Sequence, residues 1–391
     1  MKIMWMGVPS EHNTSYGVQT GLYTRMLRDM GHDVTIAGVL IGSRCYDNAD
    51  GILTLPAGPR SCMGGDFIQQ HFERIKPDFI LSMFDTFVVS EETMKPLPWV
   101  AWQVIDSYPV NPIIRKFLDI PKMNLAMSKF GQKTMEDVGV KSHYIPCCFD
   151  IKQYFPEDRA ACRQQLAKTW KVELNDETFL VVMNAANMSK PCRKNFSSAF
   201  AGFAEFRKSH PNSLLYCHTE VSGTLQNGEN VIATARACGL TPESVLFPDQ
   251  YDYIYNRLPS EYLRTVYSAA DLYLCSSFGE GFGIPIVEAQ ACGCPVAVTN
   301  WTASSEVVTK DAQLLEGPLW AFLAGTFWKL VPPENVARCM CFQAKTPSSP
   351  TEKALRSEEM QRRYGLAAVQ TECVEPMLQA VEKEMGTWRK E

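Results

Sequence analysis

Apolar residues in this chain fall into two kinds of run. Solid blocks at 2–8, 34–39, 77–82, 100–105, 125–128 and 143–146 have the length of strands buried on both faces. Between the first two blocks, Val18, Leu22, Met26, Leu27 and Met30 recur at helical spacing, and Gly31 closes that helix. A second helix is expected over 129–138. The same alternation resumes at 179–183 and continues through 213–219, 245–248, 271–275 and 296–299, with helical stretches at 198–208 and 261–270. Strand and helix in alternation predict α/β architecture with parallel sheets. Residues 317–331 are unusually aromatic and are read as hydrophobic packing, 332–350 as loop, and 355–384 as strongly helical.

Composition narrows the class. A length of 391 residues, 46% of them hydrophobic, suffices for two or three well-filled cores. A net charge of −5 argues against a dedicated nucleic-acid binder. The 14 cysteines include no C-x-x-C pair and six histidines are scattered, so the cysteines read as small core residues in a reducing compartment, not as metal ligands. The opening apolar run meets Pro9 at once and reads as a first strand, and no run is long enough to span a membrane. A cytoplasmic location is expected. Residues 111–152 carry seven Lys/Arg against four Asp/Glu, which reads as solvated helix faces; peripheral membrane contact is not indicated.

The chemistry concentrates in 276–295. Gly279, Gly281 and Gly283 let backbone approach a ligand closely, Pro285 suits a helix start, and Gly293 with Pro295 suits its end. A strand, a glycine-rich loop and a helix aim N–H groups and a helix dipole at an anion, most simply a phosphate. Glu280 lies in the loop and Glu288 about one turn into the helix. Carboxylates bind phosphate poorly but accept hydrogen bonds from sugar hydroxyls, so this pattern fits a nucleotide sugar. Arg193 and Lys194, in a loop just before a helix, are placed to neutralise a diphosphate. Asp85 and Asp106 stand just past strand ends, where open α/β sheets bind ligands.

The stretch from Glu280 to Val296 resembles the Glu-x7-Glu motif of the retaining glycosyltransferases of family 4, differing from its usual form at Ile284 and Gln290. The resemblance implies the GT-B fold: two Rossmann-like, doubly wound domains facing across a cleft. On that pattern 1–148 is the acceptor domain, 149–157 the crossover, 158–354 the donor domain, and 355–391 a terminal helix packing back toward the first domain. The crossover is similar to the family's Ile-Pro-x-Gly-Val-Asp-x-x-x-Phe-x-Pro, with Cys148 where glycine is usual. Ser15–Thr20, containing Gly17, is similar to the loop beside the donor diphosphate, and Glu306 to a helix-starting glutamate. Arg193-Lys194 matches the family's cationic pair, while Asn187 and Met188 stand where a second arginine is common, leaving Lys190 as a substitute.

These parallels imply retaining transfer of a sugar from a nucleoside-diphosphate sugar to an acceptor hydroxyl, with no metal or other cofactor. Lys194 and Arg193 would hold the diphosphate, and Glu280 with Gly281, Phe282 and Gly283 the sugar. Glu288 would hold the ribose and Gly17 would lie beside the diphosphate. Asp106, Glu280 and Lys194 are the expected catalytic residues. Lipid, protein, glycan, small metabolite and modified nucleic acid all stay open as acceptor. The competing readings are another GT-B enzyme, such as a nucleotide-sugar epimerase or a phosphorylase, and a non-catalytic nucleotide-sugar sensor.

Overall fold

The computed structural model describes the whole chain except residues 13, 41–43, 59–62, 64, 66, 323–324 and 389–391. The chain forms two compact α/β units, one chiefly of Met1–Cys148 and Tyr364–Glu391, the other chiefly of Phe149–Phe322 and Phe327–Arg363.

The first unit is built on an eight-stranded sheet. Its strands are β1 (Lys2–Gly7), β2 (Asp33–Gly38), β3 (Tyr46–Asp47), β4 (Leu53–Leu55), β5 (Phe79–Met83), β6 (Trp99–Gln103), β7 (Met123–Ala126) and β8 (Ser142–Tyr144). They lie in the order β3-β4-β2-β1-β5-β6-β7-β8, all parallel except the β3–β4 pair. Apart from Lys2, the strands β1, β5 and β6 carry almost no accessible surface, which is why they read in the sequence as solid apolar blocks. Cys148, in the glycine position of the resemblance, does not need a glycine's freedom. Its backbone N–H and C=O are both paired with the buried Gln19 amide, at 2.9 and 2.8 Å, so the segment is anchored to helix Ser15–Asp29.

The second unit has a six-stranded parallel sheet of β9 (Phe179–Asn184), β10 (Ser213–His218), β11 (Val245–Leu246), β12 (Leu272–Cys275), β13 (Val296–Thr299) and β14 (Gln313–Leu315). Their order is β11-β10-β9-β12-β13-β14, so the winding reverses between β9 and β12. Phe196, Phe200, Phe203 and Phe206 fill the core on one side of it.

Three stretches differ from the sequence expectation. Residues 332–350 are not loop: Pro333–Lys345 is a helix whose buried Val336, Ala337, Met340 and Gln343 fall on one face. Pro333 sits in the helix's first turn, where a missing N–H costs nothing. This helix packs on Phe196–Arg207 at Gly202, where a Cβ would come within 2.6 Å of Val336. The terminal stretch is not one helix. It comprises Pro350–Tyr364, Leu366–Val369 and Glu375–Trp388, interrupted by extended Gly365 and a π-helical turn at Gln370–Val374. Glu306 does not start a helix; it follows the 3-10 turn Thr302–Ser305.

The aromatic stretch forms a hairpin of β15 (Leu319–Ala321) and β16 (Phe327–Lys329). The expected hydrophobic packing is present: Trp328 stacks on Phe278, ring centroids 5.4 Å apart, and Trp320 meets Phe278 edge-on. Among the described residues no helix is long and apolar enough to cross a membrane.

Candidate functional site

In an open α/β sheet, neighbouring strands whose connections leave in opposite directions open a crevice at their carboxyl ends, and ligands bind there. In the second unit that pair is β9 and β12. The chain leaving β9 carries Arg193 and Lys194; the chain leaving β12 carries the glycine-rich loop. The topology therefore brings the two sequence-predicted segments to one place.

The two segments are laced together. Phe278 N–H donates to the Arg193 carbonyl at 2.9 Å, and the Asn195 side chain donates to the Ser276 carbonyl at 3.2 Å. Asn195 also caps helix Phe196–Arg207 from a left-handed backbone conformation, φ 55°. Lys194 Nζ lies 2.5 Å from Glu280 Oε1 and Arg193 Nη1 2.9 Å from Glu280 Oε2, while Arg193 also donates to the Gly279 carbonyl. Burial pushes the Glu280 carboxyl up. The charges of Arg193 and Lys194, with hydrogen bonds from Lys194 and Ser277, overcome that and hold it at about 2. The Glu280 N–H is fixed by Thr302 Oγ1 at 2.8 Å.

Gly281 and Phe282 are buried in the same loop. Gly283 has φ 99°, a left-handed conformation that disfavours a side chain, and is the N-cap of helix Ile284–Ala291. No side chain caps this helix, so its dipole and first-turn amides are directed at the loop it leaves.

Glu288 is buried on that helix, with Tyr267 Oη donating to its Oε2 at 3.4 Å and the Tyr154 hydroxyl close by. Here burial dominates. It raises the carboxyl to about 7 against the opposing pull of the two tyrosines. The folded protein thus keeps Glu288 protonated over a range where the unfolded chain, near 4.5, has ionised it. Stability falls as pH climbs through that window and stays lost above it. Glu288→Gln should therefore melt higher than wild type at pH 8.5, on the order of 5–10 °C. Most of the gain should disappear at pH 5. Differential scanning calorimetry at both pH values checks this; equal gains at both would mean that the carboxylate charge is not what burial penalises.

Other predicted residues lie elsewhere. Lys190 is exposed. Asn187 is a structural pin, donating to the carbonyls of Glu220 and Glu229 at 2.9 and 2.7 Å and accepting from Glu229 N–H at 2.9 Å. In the first unit the reversal falls between β1 and β5. Asp85, two residues past β5, is at that crevice, while Asp106 follows β6, one strand further out; both are half-buried. Gly17 donates its N–H to the Thr14 cap at 3.1 Å, and a Cβ there would stand 2.0 Å from the His12 carbonyl, so close loop–helix packing already requires this glycine.

Asn195, Ser277, Thr302, Tyr154 and Tyr267 belong to the site but escape sequence reasoning. Only Asn195, next to the cationic pair and three residues before Ser198, gives a local sign, that of an N-cap. Among the described residues no group of three or more His, Cys, Asp or Glu side chains is gathered as a metal site.

Residues 250–321 match the family described as "Glycosyl transferases group 1", a span that contains Glu280 and Glu288 but not the cationic pair. A D-inositol 3-phosphate glycosyltransferase of Segniliparus rotundus is 30% identical over 160 residues, 41% of this chain and 32% of that protein. The O-antigen chain mannosyltransferase B of Escherichia coli is 48% identical over 61 residues, 16% of each chain. The match thus spans about a third or less of either relative.

Among solved structures, a sucrose-phosphate synthase from Thermosynechococcus elongatus superposes with a TM-score of 0.75 at 16% identity, covering 99% of this chain and 100% of that one. WaaG, a glycosyltransferase involved in lipopolysaccharide biosynthesis, gives 0.65 at 12% identity, covering 95% and 99%. The fold is the GT-B type expected from the sequence.

Proposed function

We propose that the protein is a retaining glycosyltransferase that moves a sugar from a nucleoside-diphosphate sugar to an acceptor hydroxyl without a metal. One observation carries the reading: the crevice between β9 and β12 gathers a cationic pair, a helix N-terminus without a side-chain cap and two buried carboxylates of opposite character. Lys194 and Arg193 suit a diphosphate, which would replace Glu280 as their partner. The backbone of Gly281, Phe282 and Gly283 with Glu280 suits the sugar, and Glu288 suits the paired ribose hydroxyls. The bond from the anomeric carbon to the diphosphate breaks, and the acceptor oxygen bonds to that carbon from the same face. The acceptor's proton passes to the departing phosphate oxygen. Glu280 is assigned to the sugar hydroxyls and not to covalent attack, which leaves this front-face route. Charge stabilisation and positioning then supply the catalysis. Asp106 is assigned to the acceptor hydroxyl, and Gly17 to the loop that accommodates the diphosphate.

The test is a product screen by mass spectrometry and NMR, with UDP-, GDP- and ADP-sugars, simple alcohol acceptors and EDTA present. A glycoside that keeps the donor's anomeric configuration is expected. Loss of activity in EDTA, restored by manganese, would overturn the metal-free assignment of the phosphates, and an inverted product would overturn retention. Donor isomerised without acceptor would favour an epimerase, phosphorolysis a phosphorylase, and tight donor binding without turnover a sensor. In the same screen Asp106→Asn should slow turnover with donor binding intact; a larger effect from Asp85→Asn would transfer the role to the residue at the crevice of the first sheet.

A further inference from the structure

Glu288 has no cation within ion-pair distance among the described residues, yet the reading above needs it as a carboxylate acceptor. The titratable groups that face it are Tyr154 from segment 149–157, Tyr267 from helix Tyr262–Ala269, Tyr273 from β12, and Cys292 at the C-cap of its own helix. Of these, Tyr267 donates to it at 3.4 Å, and Tyr154 brings a second hydroxyl beside it. Tyr267 is fixed in turn, its oxygen accepting from Asn184 Nδ2 at 2.8 Å. Asn184 ends β9, so this half of the cage is set by the crevice itself.

The other half is set by backbone remote in sequence. Arg264 Nη1 donates to the Gln153 carbonyl at 3.1 Å, its guanidinium lies 4.5 Å from the Phe155 ring centroid, and its Nε is 3.1 Å from Glu157 Oε1. Glu157 N–H donates to Ser268 Oγ at 3.1 Å. Residues 153–157 are thereby clamped to helix Tyr262–Ala269 on either side of Tyr154, whose buried ring lies 6.4 Å from that of Tyr267.

We propose that Tyr154 is a positioning residue of the donor site, its hydroxyl holding the Glu288 carboxylate toward the two ribose hydroxyls, so that segment 149–157 takes part in donor recognition. This rests on the assignment of Glu288 to the ribose. A carboxylate has about four lone-pair directions; with Tyr267 on one and the Tyr154 hydroxyl turned to a second, two would stay open for a cis-diol. Without Tyr154 the carboxylate is less well held and less favoured over its protonated form, which a ribose hydroxyl binds less well.

Isothermal titration with UDP-, GDP- and ADP-sugars from pH 6 to pH 9 tests this on wild type, Tyr154→Phe and Glu288→Gln. Wild-type affinity should rise as pH passes about 7 and then level off. Tyr154→Phe keeps the packed ring and loses only the hydroxyl. It should weaken binding at pH 7 roughly tenfold and displace the rise to higher pH, with its melting temperature close to wild type. Glu288→Gln should bind weakly with a flat profile. A Tyr154→Phe protein with wild-type affinity and an unmoved profile overturns the positioning role. So does weakened binding with an unmoved profile, which a merely structural residue would give. If wild type binds none of the three donors at any pH, the functional reading itself is wrong; donor binding with Glu288→Gln unchanged removes the ribose assignment on which Tyr154 depends.

Discussion

Replacing Lys194 with alanine should cut turnover about a hundred- to a thousandfold at saturating donor. Removing one fixed donor that meets charge developing in the transition state typically costs that much. Lys194 is well placed for such a role because it is ordered before any donor arrives. Its ammonium lies 2.5 Å from Glu280 in a loop tied to the β12 loop through Phe278, Asn195 and Ser276. On the proposed reaction the diphosphate gains negative charge as the anomeric bond breaks, so loss of Lys194 should fall more on kcat than on donor KM. Arg193 remains to pair the buried Glu280 carboxylate at 2.9 Å, which should keep the variant folded. Lys194→Arg should recover only part of the rate, since a planar fork does not reproduce a compact ammonium. Steady-state kinetics with a thermal melt of each variant checks this. If Lys194→Ala raises donor KM and leaves kcat alone, the lysine contributes uniform binding and the leaving-group assignment fails.

How much of this was visible in the chain follows from the range of the interactions. The strands β1, β5, β6, β9 and β12 are buried on both faces, so their apolar blocks stand out without knowledge of their neighbours. Gly283 and Gly293 sit at positive φ at the two ends of one helix, so the loop–helix–strand unit also announces itself locally. The cationic pair was legible as chemistry, but its pairing with Glu280 spans 86 and 87 residues and depends on which strand lies beside β9. The cage of Glu288 is assembled from segments more than a hundred residues apart in sequence, and a tyrosine before Phe155 carries no local mark of that duty. The expectation of loop over 332–350 missed helix Pro333–Lys345, although its buried Val336, Ala337, Met340 and Gln343 follow helical spacing. Asp271 was legible only as the edge of a strand, although it is the centre of an ionic cluster.

That cluster sets the second large expectation: Asp271→Ala should destabilise the protein by about 3–5 kcal/mol. Arg163 is 2% exposed and donates to the carbonyls of Ala269, Asn175 and Thr178 at 3.0, 2.5 and 2.8 Å, with Asp271 Oδ2 at 2.6 Å as its counter-ion. The same carboxylate accepts from Leu180 N–H at 2.8 Å and from Arg159 at 2.8 Å. Burial alone pulls the Arg163 guanidinium below its usual range, and the Asp271 charge opposes that pull. Alanine at 271 leaves a buried cation without its partner and an amide at the start of β9 without an acceptor. These groups lie at the amino ends of β9 and β12, away from the glycine-rich loop at their carboxyl ends, so the damage should fall on stability and not on chemistry. The melting temperature should drop by roughly 10 °C, while kcat measured well below the transition stays within about twofold. An apolar double replacement, Arg163→Met with Asp271→Leu, should regain part of the loss, because it removes the orphaned charge together with its partner. The gain is only partial, since three carbonyls lose their donor. If the double variant is less stable than Asp271→Ala, the penalty comes from those carbonyls and not from an unpaired cation; if Asp271→Ala melts like wild type, the ion pair holds nothing together.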